Sequence, residues 1–165
     1  MVHSSPVVLI LGHSFVRRLC HDLETGFDQQ ADLNFNLKGT PVVFMRGMGG
    51  RTVPKLRIFD LHVVKQLSPD IIILEIGTND LTRVGPEVVG SEINDFVRFL
   101  VDNLAVHVVG ICHVIPSVFS CAASQTSFLT SATAFNQYTN AVLGDLPNVI
   151  CWVHTPFSSP GGVFI

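Results

Sequence analysis

The chain has 165 residues, 47% of them hydrophobic and 14% charged, with a formal net charge of -3. This length suits one domain, and the composition excludes a disordered chain while supplying ample material for a core. A net charge so near zero makes no general case for nucleic-acid binding, although residues 1–65 carry eight Lys/Arg against five Asp/Glu, and the remainder two against eight.

The first element is Val7–Leu11, an apolar β-branched run with the length of a strand buried on both faces. Gly12 stops it, and Ser14 is expected to cap a helix through Phe15–Leu19. Residues 25–41 hold Gly26, Gly39, Pro41 and several Asn, Asp and Gln, so they read mostly as loop. Pro41–Met45 is a second strand, followed by a glycine turn, Gly47-Met48-Gly49-Gly50. Val53–Leu67 carries a helical apolar stripe with Pro54 in its first turn. Asp70–Ile76 is the clearest buried strand, and Gly77–Asp80 the loop after it. A long amphipathic helix, Pro86–Leu104, leads to a fourth strand at Val106–Ile111. A further helix, Ser127–Leu143, leads to a fifth strand at Val149–Val153.

Strands alternating with helices imply a three-layer α/β/α domain spanning residues 1–165, built on a five-stranded parallel sheet. Right-handed crossovers favour the flavodoxin-like order 2-1-3-4-5. In such sheets the site lies beyond the carboxyl ends of the strands.

Three loops at that edge have distinctive content. Ser14 follows a buried strand at a helix start, where N–H groups and the dipole favour negative charge. Gly47–Gly50 offers backbone N–H groups free of Cβ crowding. Gly77–Asp80 offers the Asn79 amide. A serine attacking an ester carbonyl needs such a set, a nucleophile plus two or three donors aimed at the developing oxyanion.

These segments resemble the conserved blocks of the SGNH, or GDSL-like, serine hydrolases. Gly12-His13-Ser14 is similar to the first block, usually Gly-Asp-Ser; Gly47–Thr52 resembles the second, and Gly77-Thr78-Asn79-Asp80 the third. The second block is similar to that of platelet-activating-factor acetylhydrolase subunits. The His-for-Asp variant resembles SGNH-like domains of metazoan retroelement-related proteins. The resemblance implies an ester hydrolase acting on a small acetyl or lipid ester. Ser14 is then nucleophile and N–H donor, Gly50 a second N–H donor, and Asn79 a side-chain donor, with His13, Gly49 and Asp80 on the substrate side.

The family's last block, Asp-x-x-His, is not found after residue 145, so the expectation is a domain truncated at its C terminus. His154, at the end of the fifth strand, and His113, at the end of the fourth, are the candidate replacement bases. Two functions stay open at this point. One is a hydrolase impaired or inactivated by the missing block. The other is a non-catalytic module binding nucleic acid or a protein partner. His3, His21, His62 and His107 lack the spacing of a metal cluster, and neither metal nor other cofactor is expected. Arg17, Arg18, Arg51, Lys55 and Arg57 read as solvated.

Cys20, Cys112, Cys121 and Cys151 have no C-x-x-C spacing and read as free, mostly buried thiols of a reducing compartment. No signal peptide or membrane span is visible. An intracellular, cytoplasmic location is therefore expected. A sheet face left uncovered by the missing last helix predicts a homodimer or a strand-exchanged form.

Overall fold

The computed structural model describes residues 5–25, 35, 37–115 and 122–154, and in residues 122–126 the backbone alone. Five strands, β1 (Val7–Gly12), β2 (Val42–Gly47), β3 (Ile71–Glu75), β4 (Val108–Cys112) and β5 (Val149–Trp152), form one sheet. Every pairing is parallel, and the order is β2-β1-β3-β4-β5, as the alternation of strands and helices implied. The helices are α1 (Ser14–Glu24), α2 (Val53–Phe59), α3 (Leu61–Leu67), α4 (Pro86–Leu104) and α5 (Ala122–Leu143).

Strand alternation sorts the sheet into two unlike faces. Leu9, Leu11, Ile72, Leu74, Val109 and Ile111 point to one side. There they join Val53, Leu56, Val64, Val89, Ile93, Phe96, Leu100 and Phe135 of α2 to α5 in a single buried cluster. The other face carries α1, whose Val16 is buried close to the Gly12 backbone. Farther along that face, Ile71, Ile73 and Val108 are half-covered and Ile150 and Trp152 are exposed.

The helix expected over residues 53–67 is two helices. Asp60 breaks it with φ -118° and ψ -8°. Its carboxylate accepts from both Arg51 and Arg46, which draws the chain out of the helical path. Arg51, expected on a solvated face, is buried for the same reason: Nε and Nη2 hold Asp60 at 2.6 and 2.9 Å, and its guanidinium lies 5.1 Å from the Phe59 ring centre. Arg17, Arg18 and Arg57 are exposed as expected, and Lys55 is half-covered. The cap of α1 also differs. His13, not Ser14, is the N-cap, its Nδ1 accepting from the Phe15 N–H at 3.3 Å, while Ser14 opens the helix itself. The last long helix starts at Ala122, five residues before the expected Ser127.

Cys20, Cys112 and Cys151 are free thiols; Cys121 lies outside the described residues. Burial pushes the Cys112 thiol up to about 12, with the nearby Glu75 charge adding to the shift, so it stays protonated and inert at neutral pH. Among the described residues no helix is long and apolar enough to cross a membrane, and no three His, Cys, Asp or Glu side chains gather as a metal site.

Candidate active site

The parallel register brings the ends of β1, β2 and β3 level: Gly12 pairs with Gly47 on one side and with Glu75 on the other. The loops leaving these ends are tied to one another in a closed ring. The Met48 N–H donates to the Gly12 carbonyl at 3.1 Å, joining the second loop to the first. The His13 N–H donates to the Glu75 carbonyl at 3.3 Å, joining the first to the third strand. The Asn79 amide donates to the Arg51 carbonyl at 2.8 Å, and Asp80 Oδ1 accepts from the Val53 N–H at 3.0 Å, joining the third loop to the second.

Ser14 stands at the first position of α1, half-buried, where helix N–H groups have no intrahelical acceptor. Gly50 is exposed and adopts φ +69°, a left-handed conformation that is strained for any side chain. The loop around it is held by the Arg51 N–H donating to the Met48 carbonyl at 3.3 Å and by Lys55 Nζ donating to the Gly50 carbonyl at 3.2 Å. Thr52 caps α2 through the Lys55 N–H. Asn79 has two amide hydrogens; one goes to Arg51, which fixes the side chain and leaves the second for a ligand.

His13 and Asp80, expected on the substrate side, face inward instead. The His13 ring is buried between α1 and Glu75, with Nε2 2.9 Å from Glu75 Oε2. That approach lies off the ring N–H axis, so it is a close polar contact and not an aligned hydrogen bond. Asp80 is buried with one oxygen on α2 and the other without a hydrogen-bond partner among the described residues. Burial, then repulsion from Glu92, raises its carboxyl to about 6 against the opposing Val53 N–H. Gly49 lies exposed on the second loop.

Farther along the edge, His113 follows β4. Its N–H donates to the Trp152 carbonyl at 2.9 Å and its Nε2 meets Asn140 Oδ1 of α5 at 3.2 Å. Asn136 holds the next residue, Val114, through both its N–H and its carbonyl. His154, two residues past β5, is half-buried. Burial lowers its imidazole below 6.5, the nearby His113 lowers it further, and Glu75 opposes the shift.

Glu75 is the residue the sequence reading passed over. It ends β3 and is buried among His13, Cys112 and the field of His154. Its signal was present: a Glu inside Asp70–Ile76, otherwise the most apolar strand, is a carboxylate that burial makes expensive.

A family model of GDSL-like lipases and acylhydrolases matches residues 13–149. The chain belongs to the GDSL-like lipase/acylhydrolase family. Among solved structures, a GDSL-like lipase from Bacteroides thetaiotaomicron matches with a TM-score of 0.63 at 13% identity, over 88% of this chain and 68% of that one. A variant of an acetyl-xylooligosaccharide esterase from Geobacillus Stearmophilus matches at 0.64 and 14% identity, over 95% and 80%. An esterase from a Pseudoalteromonas species matches at 0.55 and 18% identity, over 90% and 78%. At these identities the likeness speaks for the fold. No match was found among curated proteins.

Proposed function

We propose that this member of the family hydrolyses a small carboxylic ester, acetyl or lipid, with Ser14 as nucleophile. The observation that supports the reading is the set of hydrogen bonds that joins the loops carrying Ser14, Gly50 and Asn79 at the carboxyl ends of β1, β2 and β3. Ser14 Oγ adds to the acyl carbonyl, and the oxygen that becomes negative takes hydrogen bonds from the Ser14 N–H, the Gly50 N–H and the free Asn79 amide hydrogen. His154 accepts the serine proton and returns it to the departing alcohol; water then adds to the acyl-enzyme by the same route and releases the acid. Its lowered affinity for protons keeps the imidazole neutral near pH 7, as a base requires. Gly49 lines the substrate side of the second loop, and no metal or other cofactor enters the steps.

The test is hydrolysis of p-nitrophenyl acetate by the wild type and by Ser14→Ala. A loss to background in the variant is expected; equal rates would remove Ser14 from the mechanism.

The exposed Ile150 and Trp152 favour a second property, self-association into a homodimer through the uncovered part of the sheet. A monomer by light scattering at high concentration removes it. The non-catalytic alternative, a module binding nucleic acid through the basic half, has fewer cations to use, since Arg46 and Arg51 both turn to Asp60.

A further inference from the structure

Val114 lies two residues past β4, where the strand has ended, and yet it is almost fully buried. We infer that Asn136 of α5 is a positioning residue for the oxyanion donor Asn79, acting through Val114 and Gly77. The inference rests on the Asn79 role proposed above.

The first link is a two-point clasp. Asn136 Oδ1 accepts from the Val114 N–H at 2.9 Å, and Asn136 Nδ2 donates to the Val114 carbonyl at 3.0 Å. An amide side chain carries an acceptor and a donor side by side, so it can serve both main-chain groups of one residue as a neighbouring strand would. Val114 is 2% exposed, and an unpaired N–H and carbonyl in such a place are costly. One residue earlier, Asn140 of the same helix meets the His113 ring. The exit of β4 is held on α5 at two successive residues.

The second link is packing. Gly77 has φ +111°, a backbone that glycine adopts freely and other residues do not. A Cβ there would lie 3.2 Å from Val114 Cγ2 and 3.3 Å from the Phe135 ring. Phe135 precedes Asn136 and is fully buried. One turn of α5 therefore sets both groups that close over Gly77. The third link is the turn that Gly77 begins. Its carbonyl accepts from the Asp80 N–H at 3.0 Å and from the Leu81 N–H at 2.9 Å, and Asn79 lies within that turn. A shift of Val114 thus has a packed route to the Asn79 amide, and a displacement of about 1 Å at such a donor is enough to slow the reaction.

The experiment measures p-nitrophenyl acetate turnover and the hydrogen exchange of the Asp80 and Leu81 amides in wild type, Asn136→Ala, Val114→Ala and Tyr138→Ala. Tyr138 is the control, because it lies on the same helix but packs against Gly90 of α4. Asn136→Ala is expected to lower kcat about tenfold with KM within about twofold, since the donor is misplaced while the substrate contacts stay. Val114→Ala keeps the main-chain clasp and should lower kcat about threefold; it decides the matter if Asn136→Ala does not fold. Tyr138→Ala should cost stability and leave kcat within about twofold. Added to Asn79→Ala, Asn136→Ala should lower kcat by less than about threefold more, because its effect passes through Asn79. Unchanged kcat in Asn136→Ala or in Val114→Ala, an equal loss in Tyr138→Ala, or losses that multiply in the double variant overturn the inference. Exchange is a readout independent of turnover. The Asp80 and Leu81 amides should exchange at least about tenfold faster in Asn136→Ala than in Tyr138→Ala, and equal rates overturn the inference. If Ser14→Ala hydrolyses the ester as fast as wild type, the Ser14 reading fails, and the exchange rates alone decide whether Asn136 holds the turn of Asn79.

Discussion

The two halves of the carboxyl edge are built differently. Around the ends of β1, β2 and β3, each loop is tied to the other two through main-chain atoms or buried side chains, and the residues that would stabilise an oxyanion have little freedom. Around β4 and β5 the edge offers two histidines. His113 is engaged by Asn140 of α5, while His154 stands past the last described strand. Under the proposed function, charge stabilisation and proton transfer would be separable in this fold: the first would belong to the sheet's own loops, the second to residues near the end of the described chain. Each half should then respond differently to mutation.

The largest effect should come from the buried ion pair that shapes the first half. Asp60→Ala strands the Arg51 guanidinium, and unfolding by denaturant should show a loss of about 3–5 kcal/mol. A loss below about 1 kcal/mol would mean that Arg51 finds other partners and that the ring does not depend on it. Next, Asn79→Ala removes both the proposed oxyanion donor and the tie to Arg51. A fall in kcat of about 10²–10³-fold is expected for p-nitrophenyl acetate.

In the second half, His154→Ala should lower kcat/KM by about 10²-fold, and His113→Ala should leave it within about threefold. The acid limb of the wild-type profile should lie below pH 6.5, because burial favours the neutral ring of His154. Equal losses in both variants would say that neither histidine has a distinct role.

The smallest effect concerns Asp80. Its carboxyl is raised from 3.8 to about 6, so the folded state holds this proton more tightly than the unfolded one. Stability is therefore lost as pH rises from about 4 to about 6, by about 2–3 kcal/mol. Asp80→Asn should abolish that slope in thermal or denaturant unfolding. A slope that survives the substitution assigns it to another group.

Much of this was legible in the residues. Five apolar runs spaced by helical stripes gave the strand order, because parallel crossovers leave few alternatives. The loops that carry Ser14, Gly50 and Asn79 were legible because they leave the ends of β1, β2 and β3, where position along the chain nearly fixes position in space. Side-chain direction was not. His13 and Asp80 looked like substrate contacts, but each is drawn inward by a partner far away in sequence, Glu75 and the α2 N terminus. Arg51 looked solvated, and the break at Asp60 that buries it is a long-range effect that the apolar stripe of residues 53–67 conceals. Residues 155–165, which reach about where the family's last block was expected to begin, lie outside the described residues.

The account stands or falls on Ser14 as a nucleophile facing an oxyanion site. An activated phosphonate ester such as p-nitrophenyl ethylphosphonate tests it most directly, since it needs one attack and mimics the tetrahedral state. Intact-mass and peptide spectra should show one adduct per chain, on Ser14, absent in Ser14→Ala and much slower in Asn79→Ala. A wild-type protein that stays unlabelled, or that is labelled as fast at another residue in Ser14→Ala, would contradict the account.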